Sequence, residues 1–149
     1  MPLANPPRGP ALLVVEDDAL VRMTLVDVLA DDGFDVVEAE DAAQALDLIC
    51  TRPEIAAMLT DINLPGGADG FALAQAVRVV RPGLPVLYAS GRYTALESGK
   101  AVSGARFLAK PFTPALAAMA LRELMRDPGL PPHSAVPPPG AEPKQARRQ

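Results

Sequence analysis

Four short apolar runs, each leading to a residue that can bear charge or hydrogen-bond a ligand, constrain this chain more than any other feature. Leu12-Leu13-Val14-Val15 precedes Asp17 and Asp18, and Ala57-Met58-Leu59-Thr60 precedes Asp61. Val86-Leu87-Tyr88-Ala89 precedes Ser90, and Phe107-Leu108-Ala109 precedes Lys110. Such runs, short and without polar alternation, read as strands buried on both faces, as in a parallel sheet. Open α/β sheets bind ligands beyond the carboxyl ends of their strands. The spacing therefore brings three carboxylates, a hydroxyl and an ammonium to one sheet edge.

Helical signals separate the runs. Strand 1 is expected over 11–16 and a helix over 19–32, with Leu20, Met23, Thr24, Val26, Val28 and Leu29 at helical spacing and Gly33 as the stop. A second strand follows over 34–38. Asp41 can cap a helix through Ala45, Leu46, Leu48 and Ile49 that Pro53 ends. Strand 3 covers 55–60, and residues 63–67 carry turn chemistry. Asp69 or Gly70 starts a helix through Leu73, Val77 and Val80, stopped at Pro82-Gly83. Strands are expected over 84–89 and 105–109. Thr113-Pro114 reads as a cap and first-turn proline opening a helix to about Arg126. Between the last two strands only 94–102 reads as helical, and Ser98, Gly99, Ser103 and Gly104 weaken it. Five β-then-α units predict an α/β, doubly wound parallel sheet with right-handed crossovers.

The domain is expected over 11–127, between a flexible lead of residues 1–10 with four prolines and a Pro-rich tail over 128–149 with seven. The tail contains the sole histidine, His133, and a PxxP match at 128–131, both read as solvated chain. A single cysteine, Cys50, excludes an intrachain disulfide, and no Cys/His cluster suggests zinc. The longest apolar run, 115–121, is too short to span a bilayer. With no signal-peptide core at the N-terminus, a cytoplasmic protein without a membrane partner is expected.

Residues 1–61 hold 13 Asp/Glu against 3 Lys/Arg, and residues 62–149 hold 5 against 11. No concentrated basic face emerges, so no nucleic-acid partner is expected. The acidic half would attract a divalent cation.

The candidate site residues differ in how much they say alone. Asp17 and Asp18 have an ordinary explanation, since acidic residues cap helices and complement the helix dipole. Asp61, followed by Ile-Asn-Leu-Pro, has no helix to cap. Crowding it with two further carboxylates would cost about 4 kcal/mol per pair at roughly 4 Å and an effective dielectric near 20. Mg²⁺, which prefers hard oxygen ligands, would relieve that repulsion. Lys110 reads as a counter-ion. Ser90, an ordinary loop hydroxyl by itself, gains meaning from these neighbours.

The combination of Glu16-Asp17-Asp18, Thr60-Asp61 with Leu64-Pro65 and Asp69-Gly70, Ala89-Ser90-Gly91, and Leu108-Ala109-Lys110-Pro111-Phe112 resembles the receiver domain of two-component response regulators over roughly 11–126. The resemblance implies a flavodoxin-like, three-layer (βα)5 fold with strand order 2-1-3-4-5. It implies that Asp61 accepts a phosphoryl group from a sensor histidine kinase or histidine phosphotransferase. Asp18, Asp61 and the backbone carbonyl of Asn63 would bind Mg²⁺ directly, with Asp17 acting through water. Ser90 and Lys110 would hold the phosphoryl oxygens. Phe107 matches the switch aromatic that follows Ser90, Arg92 the position that governs water access, and Lys110–Pro111 a cis peptide. The chain is expected to be a single-domain regulator that signals to a downstream protein by phosphorylation-dependent binding or relay, and not an enzyme beyond its own phosphoryl chemistry.

Two alternatives differ in chemistry. A haloacid-dehalogenase-like phosphatase also uses an Asp nucleophile, Mg²⁺ and a Lys, but needs a second Asp where Asn63 stands and a nucleophile on its first strand. A receiver-like interaction module without phosphorylation would not need Asp17, Asp18, Asp61 and Lys110 together.

Overall fold

The structure, a computed structural model, describes residues 9–66, 69–90 and 100–126. Five strands, β1 (Ala11–Val15), β2 (Asp35–Ala39), β3 (Ile55–Asp61), β4 (Val86–Ser90) and β5 (Arg106–Ala109), form one sheet in the order β2-β1-β3-β4-β5. All neighbouring pairs are parallel. Four helices are present among the described residues: α1 (Ala19–Asp31), α2 (Ala42–Thr51), α3 (Gly70–Val80) and α4 (Pro114–Arg126). The fold class and strand order are those expected. The helix expected over 94–102 falls mostly on residues 91–99, which lie outside the described residues together with Gly91, Arg92 and the tail. Residues 100–105 form turns and irregular chain.

The sheet separates two cores. Leu13, Val15, Met58 and Tyr88 pack with Ile49 of α2 and Val77 of α3 on one face. Leu12, Val14, Leu59 and Leu87 pack with Leu29 of α1 and Leu121 of α4 on the other. Every residue of β1 is buried, which explains its unbroken apolar sequence. The chain leaves β1 toward β2 on one side and reaches β3 on the other. That reversal opens a crevice at the carboxyl ends of β1 and β3.

Side chains of the turns start each helix. Asp18 caps α1 by accepting from the Leu20 and Val21 amides, Asp41 caps α2 through Gln44, and Asp69 caps α3 through Ala72. The Thr113 hydroxyl accepts from the Leu116 amide at the start of α4. Gly33 takes φ +105°, a left-handed conformation suited to the stop after α1.

The inward face of α1 differs from the one its sequence suggested. Leu25 and Leu29 are buried, whereas Leu20 is 76% and Met23 56% exposed. The helix carries apolar residues most of the way round, so spacing alone did not select a face. Its docking against β2 and α4 did.

Candidate functional site

The crevice is built from three strand ends and one loop. β1 delivers Glu16 and Asp17, β3 delivers Asp61, β4 delivers Ser90, and the chain beyond β5 delivers Lys110. Two backbone hydrogen bonds set the relative positions of the last three. The Ile62 amide donates to the Ala89 carbonyl at 3.0 Å, and the Lys110 amide donates to the Ser90 carbonyl at 2.8 Å.

Glu16, Asp17 and Asp61 each offer a carboxylate oxygen, and these oxygens lie within 4.8 Å of one another. Glu16 and Asp61 are buried and Asp17 is exposed. The Lys110 Nζ donates to Asp61 Oδ2 at 3.1 Å and to Glu16 Oε1 at 3.3 Å. The other oxygens of this buried pair are occupied by amides: Asn63 donates to Asp61 Oδ1 at 3.1 Å, and Asp18 donates to Glu16 Oε2 at 3.1 Å.

Burial pushes the Glu16 carboxyl up from its ordinary range, against the Asp18 amide and the Lys110 charge that pull it down. Burial also disfavours the Lys110 ammonium. Its hydrogen bond to Asp61 and the charges of Glu16 and Asp61 outweigh that, leaving its pKa raised.

The acidic triplet is divided between the crevice and the helix cap. Asp17 and Asp61 meet as expected, but their third partner is Glu16, and Asp18 is not in the group. The Asp18 Oδ1 is held by the first-turn amides of α1 at 3.0 and 3.1 Å. Residue type could not decide this, because Glu16, Asp17 and Asp18 are all acidic. The register of β1 decides: Val15 is its last residue, so Glu16 follows directly and Asp18 is already the N-cap of α1.

Phe107 sits behind the site. Its ring lies 4.9 Å from the buried Tyr88 ring at 33°, and Tyr88 lies 4.9 Å from Phe71 at the start of α3. Tyr88 and Phe107 are direct partners across β4 and β5. The Tyr88 hydroxyl accepts from the Val102 amide at 3.2 Å. Tyr88 and Phe71 were not singled out from sequence, where they pass for ordinary core residues. The Lys110–Pro111 peptide is cis.

The family model for the response regulator receiver domain matches residues 12–122. This chain belongs to that family. The receiver domain is 30% identical over 118 residues to the aerobic respiration control protein ArcA of Escherichia coli K12, covering 78% of this chain and 48% of that protein. It is 33% identical to the response regulator MprA of Mycobacterium sp. strain KMS, covering 77% of this chain and 50% of that one. The chain thus spans about half the length of these relatives.

Among solved structures, a response regulator receiver protein from Sinorhizobium medicae superposes with a TM-score of 0.73 at 28% identity, covering 78% of this chain and 94% of that one. A sensor protein from Polaromonas sp. JS666 gives 0.70 at 34% identity, covering 79% and 97%. Receiver domains are signalling modules of two-component systems and not enzymes in the ordinary sense. They interact with histidine kinases and downstream effectors and bind Mg²⁺ at an acidic pocket. The dehalogenase-like alternative is thereby set aside. Among the described residues, no helix is long and apolar enough to cross a membrane.

The donor set fits such an ion. Three carboxylates facing one ammonium leave a surplus of negative charge, and hard oxygens at this spacing suit Mg²⁺.

Proposed function

We propose that this receiver domain is a cytoplasmic switch that accepts a phosphoryl group on Asp61 from a phosphohistidine of a sensor histidine kinase or histidine phosphotransferase. An Asp61 carboxylate oxygen forms the bond to phosphorus as the phosphorus–nitrogen bond of the donor breaks. The departing imidazole keeps that electron pair and takes up a proton. The observation that carries this reading is the Lys110 ammonium shared between Asp61 and Glu16, with the Asp17 carboxylate beside them.

Phosphoryl transfer needs positioning and charge neutralisation more than covalent help. Asn63 orients Asp61 by its amide, and Lys110 balances charge on one side. Asp17, Asp61 and Glu16, with the Asn63 backbone carbonyl, would hold Mg²⁺, which would neutralise charge on the phosphoryl oxygens. The Ser90 hydroxyl and the Lys110 ammonium would then hold those oxygens.

The readout is a protein surface, either a downstream partner or the next member of a relay, and not a nucleic acid contacted by this domain. Movement of Ser90 toward the phosphoryl group would carry the change to Phe107, which already packs on Tyr88 one strand away. A charged acceptor makes such a hydrogen bond worth about 1.5–3 kcal/mol.

Acetyl phosphate with Mg²⁺ tests the reading. An acid-stable, base-labile adduct that fails to form when the metal is chelated supports it. No adduct, or an equal amount in chelator, contradicts it.

A further inference from the structure

The backbone of Glu16 is tied on both sides. Its amide donates to the Ala39 carbonyl at the end of β2, at 3.0 Å. Its carbonyl accepts from Arg22 Nη1 at 2.7 Å. Arg22 stands in the first turn of α1, where its amide donates to the Asp18 carbonyl at 2.9 Å. From there its guanidinium reaches back over the turn, and Nε donates to Glu38 Oε1 at 3.1 Å. The Arg22 side chain is only 17% exposed. One side chain thus joins the β1–α1 turn, the start of α1 and the end of β2.

We propose that Arg22 is a positioning residue for the cation site, acting through the Glu16 carbonyl. This rests on the Mg²⁺ reading of the carboxylate cluster. Glu16 and Asp17 are consecutive, so the peptide whose oxygen Arg22 holds is the one that joins the two carboxylate-bearing residues. The Asp17 carboxylate is exposed, and no described side chain fastens it. Its place is therefore set by the backbone that Arg22 and Ala39 clamp. Groups that orient the ligands of a metal without touching it typically change affinity by 10–100-fold when removed.

The guanidinium is suited to the task because two of its N–H groups point to different acceptors from one rigid plane, which a lysine ammonium cannot reproduce. Glu38 takes up its charge, so Arg22 adds little positive field to compete with a cation. Lys110 differs in both respects. It touches the carboxylates themselves and supplies charge to them.

The test is Mg²⁺ titration of the full chain, followed by calorimetry and by amide shifts at Asp17 and Asp61, in wild type, Arg22→Ala, Arg22→Lys and Glu38→Gln. Arg106→Ala, which breaks the 2.6 Å pair with Glu123 on the far side of β5, serves as a destabilised control. The clamp predicts at least about tenfold weaker Mg²⁺ binding in both Arg22 variants, a smaller loss in Glu38→Gln, and none in Arg106→Ala. Arg22→Lys keeps the charge, so its failure to rescue separates positioning from electrostatics. Wild-type affinity in Arg22→Lys, or an equal loss in Arg106→Ala, would overturn the clamp while leaving the cation site intact. Should Arg22→Ala not fold, Arg22→Lys and Glu38→Gln still decide. Absence of Mg²⁺ binding by wild type would instead remove the reading on which the clamp rests.

Discussion

Lys110 and Asp61, 49 positions apart in sequence, meet as an ammonium and a buried carboxylate 3.1 Å apart. Lys110 reaches Glu16 as well. One cation thus bridges the two buried carboxylates of the site and holds β5 to the ends of β1 and β3. Lys110→Ala leaves those carboxylates without a cation. We expect a loss of about 1–3 kcal/mol in metal-free protein, and a smaller loss when Mg²⁺ supplies the missing charge. Urea unfolding of both proteins with and without Mg²⁺ measures this. An equal loss under both conditions would contradict the shared-charge account.

The acidic triplet gives a sharper contrast. Asp18→Ala removes a helix cap and is expected to cost about 1 kcal/mol while keeping the response to Mg²⁺. Asp17→Ala should change metal-free stability by no more than about 0.5 kcal/mol and lose that response. In wild type, Mg²⁺ at 100 times its Kd adds about 2.7 kcal/mol. Thermal melts across a Mg²⁺ series read both effects. A lost response in Asp18→Ala with a retained one in Asp17→Ala would restore the assignment that sequence alone suggested.

The same triplet shows where the sequence was legible. β1, β3 and β4 could be read because near-complete burial leaves their runs largely apolar, whereas β2 and β5 are only partly buried. Asp61, Ser90 and Lys110 stand out because each follows or closes an apolar run. The caps Asp41 and Thr113 were equally plain, since they precede apolar helices. The triplet 16–18 was not, because a one-residue shift in where β1 ends changes which carboxylates face the crevice. Neither Arg22 nor Tyr88 carries a local signal. Arg22 matters through a carbonyl six residues back and Tyr88 through a ring on the next strand. Such roles arise from packing and have no spacing to betray them.

Glu16 gives the metal-free protein a pH dependence. Burial raises its folded-state pKa above the ordinary 4.5. A raised carboxyl contributes stability that is fully present below pH 4.5 and is lost as pH rises through the folded value. Glu16→Gln removes that titration, so the variant's stability should fall less than wild type's as pH rises from 4.5. Chemical denaturation across this range in chelator compares the two. Parallel curves would show that Glu16 does not titrate as its burial requires.

Gly70 joins the site to α3. Its amide donates to the Ile62 carbonyl at 2.6 Å. A Cβ there would strike the Asp61 carbonyl oxygen and come within 2.9 Å of the Ile62 Cα, both backbone atoms with little room to yield. Gly70→Ala should therefore cost about 1–3 kcal/mol and shift the amide resonances of Asp61 and Asn63. A fully stable variant with unmoved resonances would show that this turn is looser than its contacts indicate.

The most direct measurement of the central claim is the location of the phosphoryl group. Protein treated with acetyl phosphate and Mg²⁺ can be reduced with borohydride, which converts an aspartyl phosphate to homoserine, and then mapped by mass spectrometry. The account predicts homoserine at position 61 and nowhere else, and no adduct in Asp61→Asn. Homoserine at position 17 or 18, or an undiminished adduct in Asp61→Asn, would contradict it.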